Sequence, residues 1–475
     1  MNAKKNYLYN MIYNILGIII PLITAPYLSR ILGTEGIGIY SYYYAIAYYF
    51  TLLGKMGLTN YGTRRIAEVK NDEDLLKRTF TSIYLMQILV ASIVAILYFI
   101  MVNLCFSNSK EVGLVFGIWI VGTIINIDWF LFGLERFKET ATRNIIVKLA
   151  SLIMIFVIVK EPTDVWKYAL IFSVGSVISY IILWDFGKKY FFIGKIDKKE
   201  ILSHIKPCMI LMIPVIALNI YRSLDKVMLG RLSDMNQTGL YENAEKIIYS
   251  LTLFISSLGT VMMPRMAVLI STGKKDKVKQ GIENSLLFVT FMTSAMCFGV
   301  LSVSNSLIPW FYGKDFIGSI ELINLLAITL VLIGWGNVIR TQYIIPTRMD
   351  DIYIKSVSLG AIVNIILNCI LIPRYQAIGA CIGTIFAEIT VPLYQGIRLR
   401  KSLPQKRYIC KCIPFVVFGL IMFIVLKALE KIFGTGFFVM IIQILLGALI
   451  YLGLSYVYIK LYLPDILDII KRKKN

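Results

Sequence analysis

Charged and amide side chains recur at helical spacing inside an apolar stretch near the middle of this chain. Asn219, Arg222 and Lys226 follow one another at offsets of three and four, which places them on one face of a helix. Asp225 lies close enough on that helix to pair with Arg222. A charge at the centre of a bilayer costs about 2.5–3.5 kcal/mol on insertion scales. Side chains kept at that cost are expected to face a cavity, an ionic partner or the interface, where they could bind a charged ligand or an ion.

The following apolar stretch has the same pattern. Glu242, Glu245, Lys246 and Tyr249 repeat the spacing, so two neighbouring helices are predicted to carry polar stripes near their junction at Gly239. For each of these residues, a structural ion pair or a side chain that snorkels to the head groups is the alternative to a binding role. The remaining candidates, which lie in other stretches, are Asn10, Asn14, Gly17, Pro21, Thr24, Arg30, Lys55, Asp128 and Arg340.

Apolar stretches account for most of the chain. Hydrophobic residues make up 57% of it and charged residues 16%, and the mean hydropathy is +0.73. Soluble proteins have about 45–50% apolar and about 25% charged residues. Because a membrane helix needs roughly 20 apolar residues, we expect an all-α integral membrane protein of about 14 transmembrane helices. The predicted spans are residues 7–29, 37–60, 80–104, 112–132, 145–159, 166–186, 208–229, 240–263, 285–309, 319–339, 356–372, 378–397, 413–429 and 437–461.

The chain is basic, with a formal net charge of +21 and a pI of about 9.5. Roughly 35 of its 49 lysines and arginines fall in every second gap between the apolar stretches, which is the positive-inside pattern. An even number of spans then predicts a multi-pass protein of the cytoplasmic membrane with both termini cytoplasmic. The charge indicates topology and contact with anionic membrane lipids, so no nucleic-acid partner is expected. The basic gaps are the N-terminus and residues 64–78, 136–143, 188–206, 265–279, 340–355, 398–411 and 471–474.

Similar segments begin the second and eighth predicted spans. Residues 38–40 are Gly-Ile-Tyr and residues 239–241 are Gly-Leu-Tyr, and each is followed by a short basic exit. A shift of six spans preserves orientation, so the repeats are expected to be related by an axis along the membrane normal. Chance similarity between apolar segments is the alternative. The predicted organisation is an N-terminal six-helix bundle at 1–206, a C-terminal six-helix bundle at 207–405, and two additional helices with a basic cytoplasmic tail at 406–475.

Motifs for catalysis are missing from the sequence. No glycine-rich phosphate loop, nucleophile elbow or acid-rich metal motif occurs in the predicted loops. Cys410 and Cys412 have no histidine or further cysteine at metal-ligand spacing. The single histidine, His204, lies in a lysine-rich loop, where we expect a solvated side chain. The sequence therefore predicts no enzyme activity, no catalytic residue, no metal and no cofactor.

Two segments carry recognisable motifs. After Asn10, Asn14 and Gly17, residues 26–40 read Pro-Tyr-Leu-Ser-Arg-Ile-Leu-Gly-x-x-Gly-x-Gly-x-Tyr. Residues 225–247 begin Asp-Lys-x-x-Leu-Gly and end Gly-x-Tyr-x-x-Ala-x-Lys-Ile. Both segments resemble those of Wzx-type polysaccharide flippases, within the multidrug/oligosaccharidyl-lipid/polysaccharide exporter superfamily. The resemblance covers almost the whole chain in length, span count and repeat structure.

This resemblance implies two bundles around a central cavity, alternating access, and an undecaprenyl-diphosphate-linked oligosaccharide as cargo. The expected role is a flippase for capsule, O-antigen or exopolysaccharide synthesis, with a glycan polymerase as an allowed partner. A cationic cavity would complement the diphosphate. The predicted cavity residues are Arg222, Lys226, Lys246, Lys55, Arg30, Asn14 and Tyr241, and the predicted ion-coupling or ion-pair residues are Asp225, Glu242, Glu245 and Asp128.

Two alternatives stay open at this point. One is a membrane glycan polymerase or ligase, although such enzymes need a sizeable external loop and the predicted external gaps are short. The other is a multidrug or cation antiporter of the same superfamily, which the acidic residues allow.

Neutral sugars are held by hydrogen bonds and aromatic stacking, so specificity is expected from uncharged residues. These are Asn14, Tyr241, Tyr249, Asn364 and Asn368, whereas Tyr40, Tyr42, Tyr43 and Tyr44 are expected in an interfacial belt, with sugar stacking as their alternative.

Overall fold

The computed structural model of this protein describes residues 3–106, 108–192 and 194–464, without the side chains of residues 3–18, 137, 213, 214, 217, 218 and 220–222. Every regular element in those ranges is a helix. Long apolar runs favour this, because a backbone that crosses lipid must satisfy its N–H and C=O groups within one segment. The helices are α1 (Ala3–Lys55), α2 (Leu58–Val69), α3 (Glu73–Cys105), α4 (Lys110–Gly122), α5 (Asp128–Gly133), α6 (Phe137–Ile158), α7 (Val165–Ile182), α8 (Trp184–Gly187), α9 (Lys198–Ser203), α10 (Ile205–Leu232), α11 (Met235–Ser271), α12 (Lys275–Phe311), α13 (Ser319–Ala327), α14 (Thr329–Ile339), α15 (Asp350–Leu399), α16 (Gln405–Phe433) and α17 (Phe437–Tyr462).

Two of these helices bend and are long enough for two membrane crossings each. In α1 the backbone leaves the helical region at Gly33, where φ is 67° and ψ is −175°. A positive φ suits a residue without a Cβ, and this position falls in the predicted gap at residues 33–36. In α15 the break is at Gln376, where φ is 51° and ψ is −130°. Each bend therefore joins two consecutive predicted spans.

The described part of the chain accounts for fourteen crossings. Within it, nine helical segments are long and apolar enough to span a bilayer. One of the nine is α15, which bends into two crossings, and bent α1 adds two more. The remaining two crossings are α4, continued by α5, and α10. The predicted all-α membrane fold with 14 transmembrane helices is confirmed.

The fourth predicted span, residues 112–132, is broken instead of continuous. A 3-10 turn at Thr123–Ile125 and two further non-helical residues separate α4 from α5. The amide of Gln87 on α3 donates to two of the freed carbonyls at 2.7 and 2.8 Å. The indole of Trp184 donates to a third at 2.8 Å. Side chains from other helices thus replace the lost helical hydrogen bonds, which lets the break exist inside an apolar bundle.

Polar contacts join α16, the first of the two C-terminal helices, to α12 at both ends. At one end, Glu283 of α12 pairs with Arg407 of α16 at 2.9 Å and also with Lys411. At the other end, the amide of Asn305 on α12 donates to Glu430 of α16 at 2.6 Å. Because each tie crosses between helices, α16 packs along the length of α12.

The chain divides by its internal contacts into two compact units, Met1–Gly239 and Leu240–Asn475. The division falls near the start of α11, so that α10 belongs to the first unit, where it packs against α1 and α2. The bundle boundaries inferred from the sequence, after residues 206 and 405, stay predictions.

Candidate functional site

A cavity of about 210 Å³ lies in the first unit, beside the break between α4 and α5. Its position follows from the local chain path, since α1 ends at Lys55 and the amphipathic helix α2 starts three residues later. Polar groups from α1, α2, α3 and the break meet here inside an apolar bundle. The lining residues are Lys55, Leu58, Thr59, Gln87, Asn126, Asp128, Trp129 and Phe132.

The carboxylate of Asp128 is held by fixed donors on two sides. One oxygen accepts from the guanidinium of Arg143 at 3.0 Å, and the other accepts from the amide of Asn126 at 3.2 Å. The Arg143 side chain is only 4% exposed and also donates to the carbonyl of Ser179 at 2.9 Å. Removing one partner of such a buried pair leaves an uncompensated charge, so this pair holds α5 and α6 in place.

Arg143 is not among the site residues predicted from the sequence. The sequence predicts it at the end of a cytoplasmic loop, but α6 begins at Phe137 and carries Arg143 into the bundle. Asn144 follows it directly, and Glu139 precedes it by one helical turn. This short polar run at the start of an apolar stretch is the signal that could have identified it.

Lys55 brings a second cation to the cavity. Its ammonium lies close enough to Tyr180 and to Asp128 to interact electrostatically with both. The ammonium lies 5.8 Å from the centroid of the Tyr180 ring. Because Arg143 already neutralises Asp128, the charge of Lys55 is in excess. The structure therefore brings together two of the predicted site residues, Lys55 and Asp128, in an electropositive cavity.

The predicted polar stripe of α10 is only partly described. Asp225 is 2% exposed and Lys226 is partly buried. Asn219 accepts from the Tyr48 hydroxyl at 2.9 Å, and its backbone carbonyl accepts from Tyr49 at 3.1 Å. The side chains of two predicted cavity residues, Arg222 and Asn14, lie outside the described ones. Their roles stay predictions.

The predicted stripe of α11 contains an ion pair. Lys246 and Glu242 lie 3.3 Å apart, one helical turn from each other, and Glu245 is partly buried. Tyr241 is fully buried, and its hydroxyl lies 3.2 Å from that of Thr384. A role for Tyr241 in cargo binding requires movement of its helix and stays a prediction.

The remaining predicted residues are not among those that line the cavity in the first unit. Arg30 is exposed on α1. Arg340 begins a π-helical segment, with its guanidinium 5.7 Å from the centroid of the Tyr353 ring. In α15, Asn364 and Asn368 are buried, and the Asn368 amide donates to Asn364 at 3.3 Å. Tyr249 is half-exposed. None of these placements assigns a ligand, so the roles stay predictions.

His204 is buried, which makes the expectation of a solvated side chain wrong. It is 7% exposed, with Nδ1 at 2.6 Å from the Tyr61 hydroxyl and Nε2 at 2.9 Å from the Ser82 hydroxyl. Ser82 donates to the carbonyl of Thr79 at 3.1 Å, so it accepts from Nε2, and Tyr61 donates to Nδ1. Burial lowers the pKa of His204 below that of an exposed imidazole. His204 thus joins α2 and α3 to the start of α10 as a neutral ring.

The tyrosines of α1 form an internal aromatic cluster, not an interfacial belt. Tyr42 and Tyr43 are buried, and the Tyr43 hydroxyl donates to the carbonyl of Asn108 at 2.7 Å. Tyr40 stacks on Tyr168 with ring centroids 4.0 Å apart. Ring stacking with inward-facing partners explains the placement, because a helix face rich in tyrosine buries apolar rings and satisfies its hydroxyls on nearby carbonyls.

A family model described as polysaccharide biosynthesis protein matches residues 3–270 of this chain. Among curated proteins, a putative O-antigen transporter of Shigella dysenteriae is 22% identical over 400 residues, which cover 82% of this chain and 98% of that protein. A probable low-salt glycan biosynthesis flippase of Haloferax volcanii is 20% identical over 466 residues, which cover 96% of each chain. These similarities extend over most of both chains.

A solved structure of the lipid II flippase MurJ, in an inward closed conformation, has the same fold. It superposes with a TM-score of 0.73 at 17% sequence identity and covers 96% of this chain and 99% of that chain. At this identity the similarity establishes a shared fold. The fourteen-helix architecture is therefore that of a known membrane transporter fold.

Proposed function

Because this chain belongs to the polysaccharide biosynthesis protein family, we propose that it is a flippase for undecaprenyl-diphosphate-linked oligosaccharide repeat units. It moves them across the cytoplasmic membrane by alternating access, for the assembly of a cell-surface polysaccharide. The observation that carries this proposal is the excess of cationic side chains at the cavity in the first unit, where Lys55 and the buried Arg143 face Asp128. Anionic cargo fits such a site and cationic drugs do not.

The chemistry of the cargo explains why a protein is required. A diphosphate and a hydrophilic glycan pay a large free-energy penalty in hydrocarbon unless their charges and hydroxyls find partners. Cations in a protected site supply those partners for the diphosphate. We assign this role to Arg222, Lys226, Lys246 and Lys55, with Arg30, Asn14 and Tyr241 as further contacts.

Energy coupling belongs to the same proposal. The sequence has no nucleotide-binding motif, so transport is driven by an ion gradient or by consumption of the cargo after transfer. Asp128 is paired with Arg143 at 3.0 Å and Glu242 with Lys246 at 3.3 Å. These pairs support structural roles for Asp128 and Glu242. All four acids, Asp128, Asp225, Glu242 and Glu245, are the residues to test for ion coupling.

The topology is also proposed here. The basic gaps of the sequence support a cytoplasmic location for both termini. A glycan polymerase that elongates the chain outside the membrane is the proposed partner, because it would consume the translocated repeat units.

The test is the location of the repeat units in cells that lack this protein. Lipid-linked repeat units should accumulate on the inner leaflet, where a membrane-impermeant oxidant of sugar diols cannot reach them in intact spheroplasts. After lysis they should become reactive. Repeat units that are already outside and unpolymerised would identify a polymerase or ligase instead. Cells that export cationic dyes but build normal polysaccharide would indicate a multidrug antiporter.

A further inference from the structure

Another cavity, here called the α13 cavity, lies in the second unit at the start of α13. Its volume is about 460 Å³, which is within the roughly 300–1,000 Å³ of sites that hold small organic ligands. Its residues recur at offsets of three and four, so one face of the segment forms the wall. The lining residues are Ile317, Gly318, Ile320, Glu321, Asn324 and Leu325.

Two hydrogen-bond acceptors in the α13 cavity lack a donor among the residues that the structure describes. No ion pair in that part of the chain includes Glu321, which is exposed. The Oδ1 atom of Asn324 is buried and accepts no hydrogen bond there. A buried acceptor without a donor carries a free-energy cost. Because side chains three residues apart are neighbours on a helix, one ligand with several N–H donors can reach both acceptors.

The start of α13 explains only one of these two residues. Glu321 lies in the first turn of the helix, where a negative charge interacts favourably with the helix dipole. Asn324 lies one turn further along and is uncharged, so the dipole gives no reason for its buried oxygen. The unpaired oxygen of Asn324 is therefore an independent observation that points to a ligand.

Exposed side chains near the α13 cavity indicate a membrane–water boundary. Trp310, at the end of α12, is 46% exposed, and tryptophan is enriched at the level of the lipid head groups. Ile317, in the cavity wall, is 53% exposed. Lys314 and Asp315, on the turn between Trp310 and Ile317, are also exposed, as expected outside the hydrocarbon. The cavity thus combines an apolar wall with two polar acceptors at the depth where head groups lie.

We propose that the α13 cavity binds the ammonium group of an aminophospholipid, with the carboxylate of Glu321 and the Oδ1 atom of Asn324 as acceptors. A primary ammonium carries a positive charge and three N–H donors, which match a carboxylate and an amide oxygen. Ile317, Ile320 and Leu325 supply apolar surface for the start of the acyl chains. By the topology proposed above, this lipid lies in the outer leaflet. The site does not depend on the identity of the cargo.

The first experiment measures lipid binding by the purified full-length protein in detergent. The melting temperature is recorded with short-chain phosphatidylethanolamine, phosphatidylcholine or phosphatidylglycerol at equal concentrations. A ligand that binds only the folded state raises the melting temperature, and the rise saturates with concentration. We expect the largest rise with phosphatidylethanolamine and a smaller one with phosphatidylcholine, whose ammonium keeps its charge but has no N–H. Phosphatidylglycerol, which has no ammonium, gives the baseline.

The variants test the two acceptors separately. Glu321→Gln should weaken the binding of phosphatidylethanolamine about tenfold or more, because hydrogen bonds to charged groups are the stronger ones. Asn324→Leu removes the second acceptor and should weaken it as well. Glu111→Gln is the matched control, because Glu111 is also an exposed glutamate in the first turn of a helix, α4, and does not line the cavity. Melting without lipid shows whether each variant is folded.

Three results would overturn the proposal. One is an equal concentration dependence in wild type and in Glu321→Gln. Another is an equal rise with all three lipids, since it would mean that the head group is not recognised. The third is a rise with dodecyltrimethylammonium as large as that with phosphatidylethanolamine, which would identify a site for cationic amphiphiles in general.

The second experiment asks whether the lipid is retained from a bilayer. The protein is released from nanodiscs that contain equal amounts of phosphatidylethanolamine and phosphatidylglycerol, and the attached lipids are identified by native mass spectrometry. Wild type and Glu111→Gln should retain more phosphatidylethanolamine than Glu321→Gln, and equal retention would contradict the site. Neither experiment measures transport, so a failure of the proposed flippase function leaves this result unchanged.

Discussion

Gly38 and Gly239 begin the two repeated Gly-x-Tyr segments, and they pack directly against each other. A Cβ built on either glycine would lie 3.0 Å from the backbone nitrogen of the other. The Cβ of Gly38 would also lie 1.7 Å from the carbonyl oxygen of Met235, and that of Gly239 would lie 1.9 Å from the carbonyl oxygen of Thr34. Each carbonyl is four residues before the partner glycine, so the contact is reciprocal, as in two segments related by a two-fold axis.

Replacing either glycine with alanine should force apart the backbone segments around Gly38 and Gly239. Overpacking in a tight contact costs about 1–3 kcal/mol, and here the obstacle is backbone, which cannot rotate away. We expect Gly38→Ala and Gly239→Ala to lower the melting temperature by several degrees and to reduce transport. Gly299→Ala is the matched control, because in the described part of the chain no atom beyond its own stretch of helix lies within 4 Å of its Cβ position. An unchanged melting temperature in Gly38→Ala would mean that the close contact is not maintained in the membrane.

Gln87→Leu should destabilise the first unit, because it keeps the approximate shape and removes the hydrogen bonds. The change removes the side-chain donor to the Asn126 carbonyl and leaves the Thr123 carbonyl with only the backbone N–H of Asn126 at 3.3 Å. It also removes the acceptor of the Trp129 indole, which donates to Gln87 at 2.8 Å. Each buried unsatisfied group costs about 1–3 kcal/mol. Thermal melting of the purified variant should show a large decrease, whereas Asn103→Leu at an exposed site should not. Equal melting temperatures of Gln87→Leu and Asn103→Leu would contradict the stabilisation of the break by Gln87.

The pair of Asp128 and Arg143 should show strong energetic coupling. Asp128→Asn leaves a guanidinium that is 4% exposed without its counter-charge, and loss of one partner in a buried pair costs about 3–5 kcal/mol. Because the Asp128 side chain is partly exposed, the expected loss of stability is smaller than for a fully buried pair. In the double variant Asp128→Asn, Arg143→Gln, part of the stability should return. The exposed pair of Lys188 and Asp185 is the control, since such pairs contribute about 0–1 kcal/mol. Additive effects at the buried pair would contradict the coupling.

Stability should depend on pH through His204, the single histidine of the chain. Its folded-state pKa lies below the ordinary value of 6.5 because of burial, so the unfolded state binds the proton first as pH falls. The charge of Glu200 raises this pKa and that of Arg65 lowers it, and burial has the larger effect. Stability from the neutral ring is complete above about pH 6.5 and is lost as pH falls toward the folded pKa. The melting temperature should decrease between about pH 7 and 5.5 in wild type and much less in His204→Gln, and parallel curves would refute the effect.

The cationic stripe of α10 should affect every cargo alike, because the diphosphate is common to all of them. We expect Arg222→Gln with Lys226→Gln to reduce flipping of a panel of lipid-linked glycans without changing protein abundance. Arg231→Gln, at the exposed end of the same helix, is the control. Changes at Tyr241 or Asn364 should instead reorder the preferences. Full transport by the double variant would refute the binding role, and reordered preferences for neutral glycans would mean that the cations contact sugar.

The sequence alone determined the membrane fold, and it identified the residues of the chain that carry unusual charge. Span number and topology depend on the length of apolar runs and on which gaps hold lysine and arginine, and both are properties of local sequence. Lys55 and Asp128 were identifiable for the same reason, since a charge inside an apolar run is visible without knowing its neighbours. The repeated Gly-x-Tyr segments were visible as well.

Only the tertiary structure decided which of these charges meet and what stabilises them. The sequence predicts Arg143 in a loop because it does not mark the start of α6, and its partner Asp128 lies on a different helix. Gln87 and His204 were not identifiable, because an amide or an imidazole has its role set by partners that the chain brings together. Gln87 bonds carbonyls about forty residues away in sequence, and His204 bonds Tyr61 across 143 positions. Hydrogen bonds and ion pairs of that range depend on the packing of helices, and no local pattern of residue types specifies it.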